Sequence, residues 1–276
     1  CLTADSIQAK AKRYPFLDEL RGAAILMMIA YHLLYDGVVF AGWDIPLFSP
    51  PLSLWQDSIG ALFILLPADV PAFPQQLAAR PAITAVTFFL VPTVADWFGV
   101  LHFLGCAMLL YPLFRPLLDR FPALPGAVCC FLLFWATYPV SLGKIGGLFW
   151  QANLPSFLYR NFLTAILGFP PHNFVSSDYY PLLPWIFLFF CGSLLGRILV
   201  GRGDRPALLR SRCRPLAFLG RHSFVIYLVH QPVLMGFFFS PRNKPPIVKN
   251  AKAPLFSAFW QLLDWKYEKI ANFSPF

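Results

Sequence analysis

The chain has 276 residues, 58% of them hydrophobic and 13% charged, with a mean hydropathy of +0.60. Soluble domains run at about 45–50% apolar and about 25% charged, so the composition points away from a water-soluble globule and toward an integral membrane protein. The net charge of +9 would suit nucleic acid in a soluble chain. Here, however, Lys and Arg fall between apolar runs, as in "GRGDRPALLRSRCRP" (201–215), which reads as cytoplasmic loops beside anionic lipid.

Residues 1–12 form a polar N-terminal tail; with Cys1 in place of methionine and no apolar signal segment ahead of it, the start reads as a fragment boundary. From residue 13 to 239 the sequence predicts one all-α domain, a polytopic transmembrane helix bundle of seven or more spans. The apolar windows are Gly22–Phe40, Leu54–Leu66, Ala82–Trp97, Phe98–Phe114, Leu124–Leu142, Leu182–Val200 and Leu216–Phe239. Crossing takes about 20 apolar residues, so the second and third are short. Ser156–Phe169 reads as a re-entrant or further short helix. Trp43, Trp55, Trp97, Trp150 and Trp185 flank apolar runs, as interfacial belts do.

The basic loops put the N-terminus in the cytoplasm. Seven crossings then leave the basic and aromatic tail 240–276 outside, against the positive-inside rule. Residues 65–81 are atypical: four prolines in "PADVPAFPQQLAARP" forbid a continuous helix. The six cysteines form no CxxC pair, and four lie in apolar runs, so they read as small buried hydrophobes.

The first span carries the clearest chemical signal. On a helix, Asp18, Arg21, His32 and Asp36 share a stripe about 80° wide, and Arg21 lies ~16 Å along the axis from His32. Ala23, Ile29, Ala30 and Leu34 lie opposite. The stripe should face a bundle interior and the other side lipid. Arg21 then sits at the cytoplasmic rim and His32 near mid-membrane. A hydrogen-bonded packing role is the plainer reading of His32. Asp36 one turn on makes a base or proton shuttle the sharper one. His102 begins the fourth span. In "GRHSFVIYLVHQPV" (220–233), Ser223, Tyr227 and His230 share a helical face. Asp178, in "SSDYYPLLPW" (176–185), marks an interfacial cap or the polar rim of a substrate entrance. Neither a metal-ligand motif nor a carboxylate cluster appears, and no metal is expected.

These motifs resemble a known family. "FLDELRGAAILMMIAYHLLYD", "LHFLGCAMLLYPLF", "SSDYYPLLPWIFLFFCGSLLGR" and "PLAFLGRHSFVIYLVHQPVL" look like the heparan-alpha-glucosaminide N-acetyltransferase catalytic-domain family in its bacterial-type version, over residues 13–64 and 82–239. Arg21 with His32, and Ser223, Tyr227, Leu228, His230 and Pro232, resemble marks of the wider transmembrane acyltransferases, including acyltransferase-3 proteins. The resemblance implies transfer of an acetyl group from acetyl-CoA to a sugar or glycan amine or hydroxyl. It implies His32 as general base or acetyl carrier, Asp36 orienting it, and Arg21 toward the CoA phosphates. His102, Asp178, Tyr227 and His230 would contact the acceptor. The chain departs from the family's pattern after Leu65 and after Phe239. A proton-coupled transporter or flippase, and a non-catalytic degenerate relative, are the alternative readings. The sequence leaves the acceptor and the oligomeric state open.

Overall fold

The structure is a computed structural model that describes residues 14–47, 49–66, 98–147, 150–171, 174, 179–201 and 210–238. The span expected at 82–97, the proline-rich residues 67–81, the two tails and Asp178 lie outside the described residues.

Helix α1, Pro15–Asp36, starts with proline at its first position, where a missing N–H costs nothing. It passes into one π-helical turn, Gly37–Ala41, and stops at Gly42, whose φ of 73° suits glycine. Helix α2, Pro50–Leu65, also opens on proline. It runs antiparallel to α1. Arg21 near the start of α1 donates from Nε to the Leu66 carbonyl at 3.2 Å, while Tyr31 farther along donates to Gln56 Oε1 at 3.0 Å.

Helix α3, Val100–Leu118, contains Pro112 and Pro116. Arg115 and Arg197 both pair with Asp119 just past its end, at 3.4 and 3.0 Å. Helix α4, Ala123–Thr137, tightens into a 3-10 turn, Tyr138–Leu142. A hairpin follows, β1 (Lys144–Gly146) antiparallel to β2 (Gln151–Asn153), with Ile145 opposite Ala152. A 3-10 turn, Ser156–Tyr159, and the short helix α5, Phe162–Leu167, come next. Helix α6, Leu182–Gly201, packs on α2, α3, α4 and α5. Phe103, Leu188, Phe189 and Leu194 are the buried centre of that cluster.

Helices α7, Arg214–Arg221, and α8, Ser223–Phe238, close on α1. The span expected as continuous from Leu216 to Phe239 is therefore broken at His222, where φ −103° and ψ 14° leave the helical region.

Among the described residues two stretches, Ala123–Leu142 and Leu182–Leu199, are long and apolar enough to cross a membrane; the described parts of the fourth and seventh windows give shorter apolar helices. The described residues are thus mostly helical, with a small hairpin that periodicity missed, and they do not display seven spans. The exposed flanks of α3, α4 and α8 are apolar: Leu113 is 73% exposed, Leu132 60% and Val233 60%.

Candidate functional site

Of the polar stripe of α1, Asp18 and Asp36 are buried and Arg21 and His32 half-buried. Ala23, Ile29, Ala30 and Leu34, expected to face lipid, are half-buried as well, and the exposed residue of this stretch is Leu26. On α8, Ser223, Tyr227 and His230 are half-buried while Phe224, Val225, Leu228 and Val229 are exposed. The two faces meet. The His32 and His230 rings lie 4.8 Å apart between centroids, tilted by 54°.

Hydrogen bonds define the chemistry of this pair. His230 Nδ1 lies 2.5 Å from the Tyr227 carbonyl. A carbonyl only accepts, so Nδ1 carries the proton, and a neutral ring then presents its lone pair at Nε2. That Nε2 is buried and has no hydrogen-bond partner among the described residues. The next side chain, Gln231, donates from Nε2 to both oxygens of Asp36, at 3.2 and 3.1 Å. Asp36 is fully buried. An ionised carboxylate survives burial only where donors replace water, and the Gln231 amide is one such donor. Asp36 thereby fastens α8 to α1 at the level of the imidazole pair. Tyr31, beside His32, is held by Gln56, whose carbonyl accepts from Tyr180 at 3.1 Å.

The other end of α1 is a tightly packed collar. Arg21 donates to Asp18 Oδ1 at 2.9 Å and to Leu66 as described, and its side chain is 11% exposed. Glu19 accepts from Ser211 Oγ at 2.7 Å and from the backbone N–H groups of Arg212 and Cys213 at 2.5 and 2.7 Å. It serves as a capping anion ahead of α7. The Cys213 N–H, then the Ser211 hydroxyl, hold the Glu19 carboxyl below the usual carboxylate range. Glycine makes the crossing close. A Cβ on Gly22 would lie 2.0 Å from the Leu216 oxygen, and one on Gly220 would lie 1.8 Å from the Asp18 oxygen.

Of the residues singled out in sequence, His32, Tyr227 and His230 come together, with Asp36 joined to them through Gln231. Arg21 sits in the collar. His102 is on α3, its ring stacked on Phe98 at 6.4 Å. Sequence reasoning passed over Glu19 and gave Gln231 no role. A lone amide inside the apolar run "IYLVHQPVL" was the available signal for the second. Among the described residues no group of three or more His, Cys, Asp or Glu side chains could hold a metal ion.

The family model for the heparan-alpha-glucosaminide N-acetyltransferase catalytic domain matches residues 13–67 and 75–232. Its gap falls within the atypical proline-rich stretch. The match takes in all of α1, and α8 as far as Pro232. No curated protein matches the chain, and no solved structure does. With most of the sequence accounted for by one model, including every residue of the imidazole pair and its clasp, the chain belongs to the heparan-alpha-glucosaminide N-acetyltransferase catalytic family.

Proposed function

We propose that this chain is an integral membrane acetyltransferase that passes an acetyl group from acetyl-CoA to a sugar or glycan amine or hydroxyl. The observation that carries this reading is the His32–His230 pair, with rings 4.8 Å apart, set beside a buried carboxylate on two facing helices. Family membership supports the donor. A neutral imidazole near a reacting acyl carbon can remove the attacking group's proton or hold the acetyl group itself. His32 is the reactive imidazole. Asp36 stabilises the charge that develops on the pair, and Tyr227 and His102 contribute to the acceptor wall. Asp178 belongs to the acceptor entrance.

Arg21 lies at the opposite end of α1, ~16 Å from His32 along the axis. Acetyl-CoA is long and anionic at its far end. A basic rim there, with thioester chemistry deeper, suits its shape and charge. The Asp18 and Leu66 contacts of Arg21 fix the guanidinium at that rim. The apolar flanks of α3, α4 and α8 support residence in lipid, because patches of this extent are costly in water. The basic loops favour an N-terminus in the cytoplasm, and the resemblance to the family's bacterial-type version favours a bacterial plasma membrane.

Labelled acetyl-CoA supplied to membranes containing the chain, with a panel of sugar acceptors, tests the reading. Label should pass to an amine or hydroxyl acceptor, and His32→Ala should lower the rate by about 10²-fold or more. Full transfer by His32→Ala would remove the assignment.

A further inference from the structure

Two buried acceptor atoms at neighbouring positions of α8 have no donor among the described residues: Nε2 of His230 and Oε1 of Gln231. Such atoms are rare in folded proteins and call for an explanation. The rest of each side chain is committed. His230 Nδ1 is bound to the Tyr227 carbonyl, and Gln231 Nε2 to Asp36. Neither group can turn its acceptor elsewhere without giving up that bond. The pair therefore suits a ligand that brings N–H or O–H donors. The thioester end of acetyl-CoA brings none at its reacting carbonyl and sulfur, whereas a sugar amine or hydroxyl does.

We propose that His230 Nε2 and Gln231 Oε1 hold the acetyl-accepting amine or hydroxyl, and that His230 Nε2 takes its proton during transfer. This rests on the acetyltransferase reading above. In the step, the acceptor's N–H or O–H bond breaks toward Nε2. The electron pair forms the new bond to the acetyl carbonyl carbon. That carbon's bond to its carrier breaks, and the pair leaves with sulfur in direct transfer, or with the ring nitrogen where His32 holds the acetyl group. The proton on His230 then passes to the group that leaves: to the CoA thiolate, which departs as the thiol, in direct transfer, or to the freed ring nitrogen of His32 where that residue held the acetyl group. His32, beside His230 in the same space, is thereby left to the acetyl side of the reaction. Gln231 orients the acceptor, and its tie to Asp36 keeps His230 on the facing wall.

Full-length protein, labelled acetyl-CoA, glucosamine as the amine probe and a methyl glucoside as the hydroxyl probe provide the test. His230→Asn keeps a side-chain donor for the Tyr227 carbonyl but has no basic nitrogen. It should melt with the wild type, keep its KM for acetyl-CoA, and lose transfer by about 10²–10⁴-fold. His230→Gly should regain part of its rate when free imidazole is added, which a purely structural role would not permit. Gln231→Met should raise KM for the sugar probe and leave that for acetyl-CoA unchanged. Retention of more than about a tenth of the rate by His230→Asn, or a normally melting His230→Gly that imidazole does not rescue, overturns the proposal while wild-type transfer stands. A wild type that acetylates neither probe overturns the acetyltransferase reading itself.

Discussion

Substituting alanine for Gly220 should separate α7 from α1. The added Cβ would sit 1.8 Å from the backbone oxygen of Asp18, with Gly22 N 3.0 Å away. Van der Waals contact needs about 3.5 Å, so the two helices must part locally by about 1.7 Å. The obstructing atoms are backbone, which no rotamer change can move aside. Overpacking of this kind costs about 1–3 kcal/mol. The parting also stretches the Glu19 bonds to Ser211, Arg212 and Cys213, now at 2.5–2.7 Å, past the range in which they hold. Thermal unfolding of the purified protein in detergent measures the loss. Gly236→Ala is the matched control, because nothing lies within 4 Å of a Cβ there, and alanine at a helical position is worth up to about 1 kcal/mol over glycine. Gly220→Ala should therefore melt well below the wild type, and Gly236→Ala at or slightly above it. Equal melting of the two variants would refute the close crossing of α1 and α7.

Glu19, held below the usual carboxylate range by its bonds to Cys213 and Ser211, stabilises the collar fully above the unfolded carboxylate value. That contribution disappears as pH falls through its depressed folded value. Melting of the wild type and of Glu19→Gln, followed from neutral to acid pH, should converge at the acid end. Gln231→Leu removes a donor from the buried Asp36 carboxylate, a charge-assisted bond worth about 1.5–3 kcal/mol, and should lower thermal stability accordingly. Arg21→Lys keeps the charge but not the fork that reaches Asp18 and Leu66 together; about 1 kcal/mol of stability should be lost with the second hydrogen bond, read by the same assay.

The candidate site was legible in sequence where chemistry followed helical period. The stripe from Asp18 to Asp36 and the face from Ser223 to His230 both arise from side chains three, four, seven or eleven residues apart on one element; Asp18 and Asp36 are found buried, and His32, Tyr227 and His230 half-buried. What periodicity cannot supply is partnership between distant elements. Nothing in the spacing around His32 indicates that His230 completes it, or that Asp36 binds Gln231. Glu19 is silent for the same reason: its partners lie 192 to 194 residues away. The break at His222 hides inside a continuous apolar run, since hydropathy measures composition and not backbone angle. The hairpin at Lys144–Gly146 and Gln151–Asn153 has strands of three residues, too short for alternation to register.

The contacts of α1 with α7 and α8 also impose an order in time. Glu19, His32 and Asp36 emerge first, and Ser211 to Gln231 arrive nearly two hundred residues later. At about 5–20 residues per second, synthesis leaves an interval of about 10–40 s. Through that interval the first helix carries a carboxylate and an imidazole without the wall that will cover them. Helices α2 to α6 are complete before the site can close, so α7 and α8 set the moment at which the reactive face of α1 is sealed.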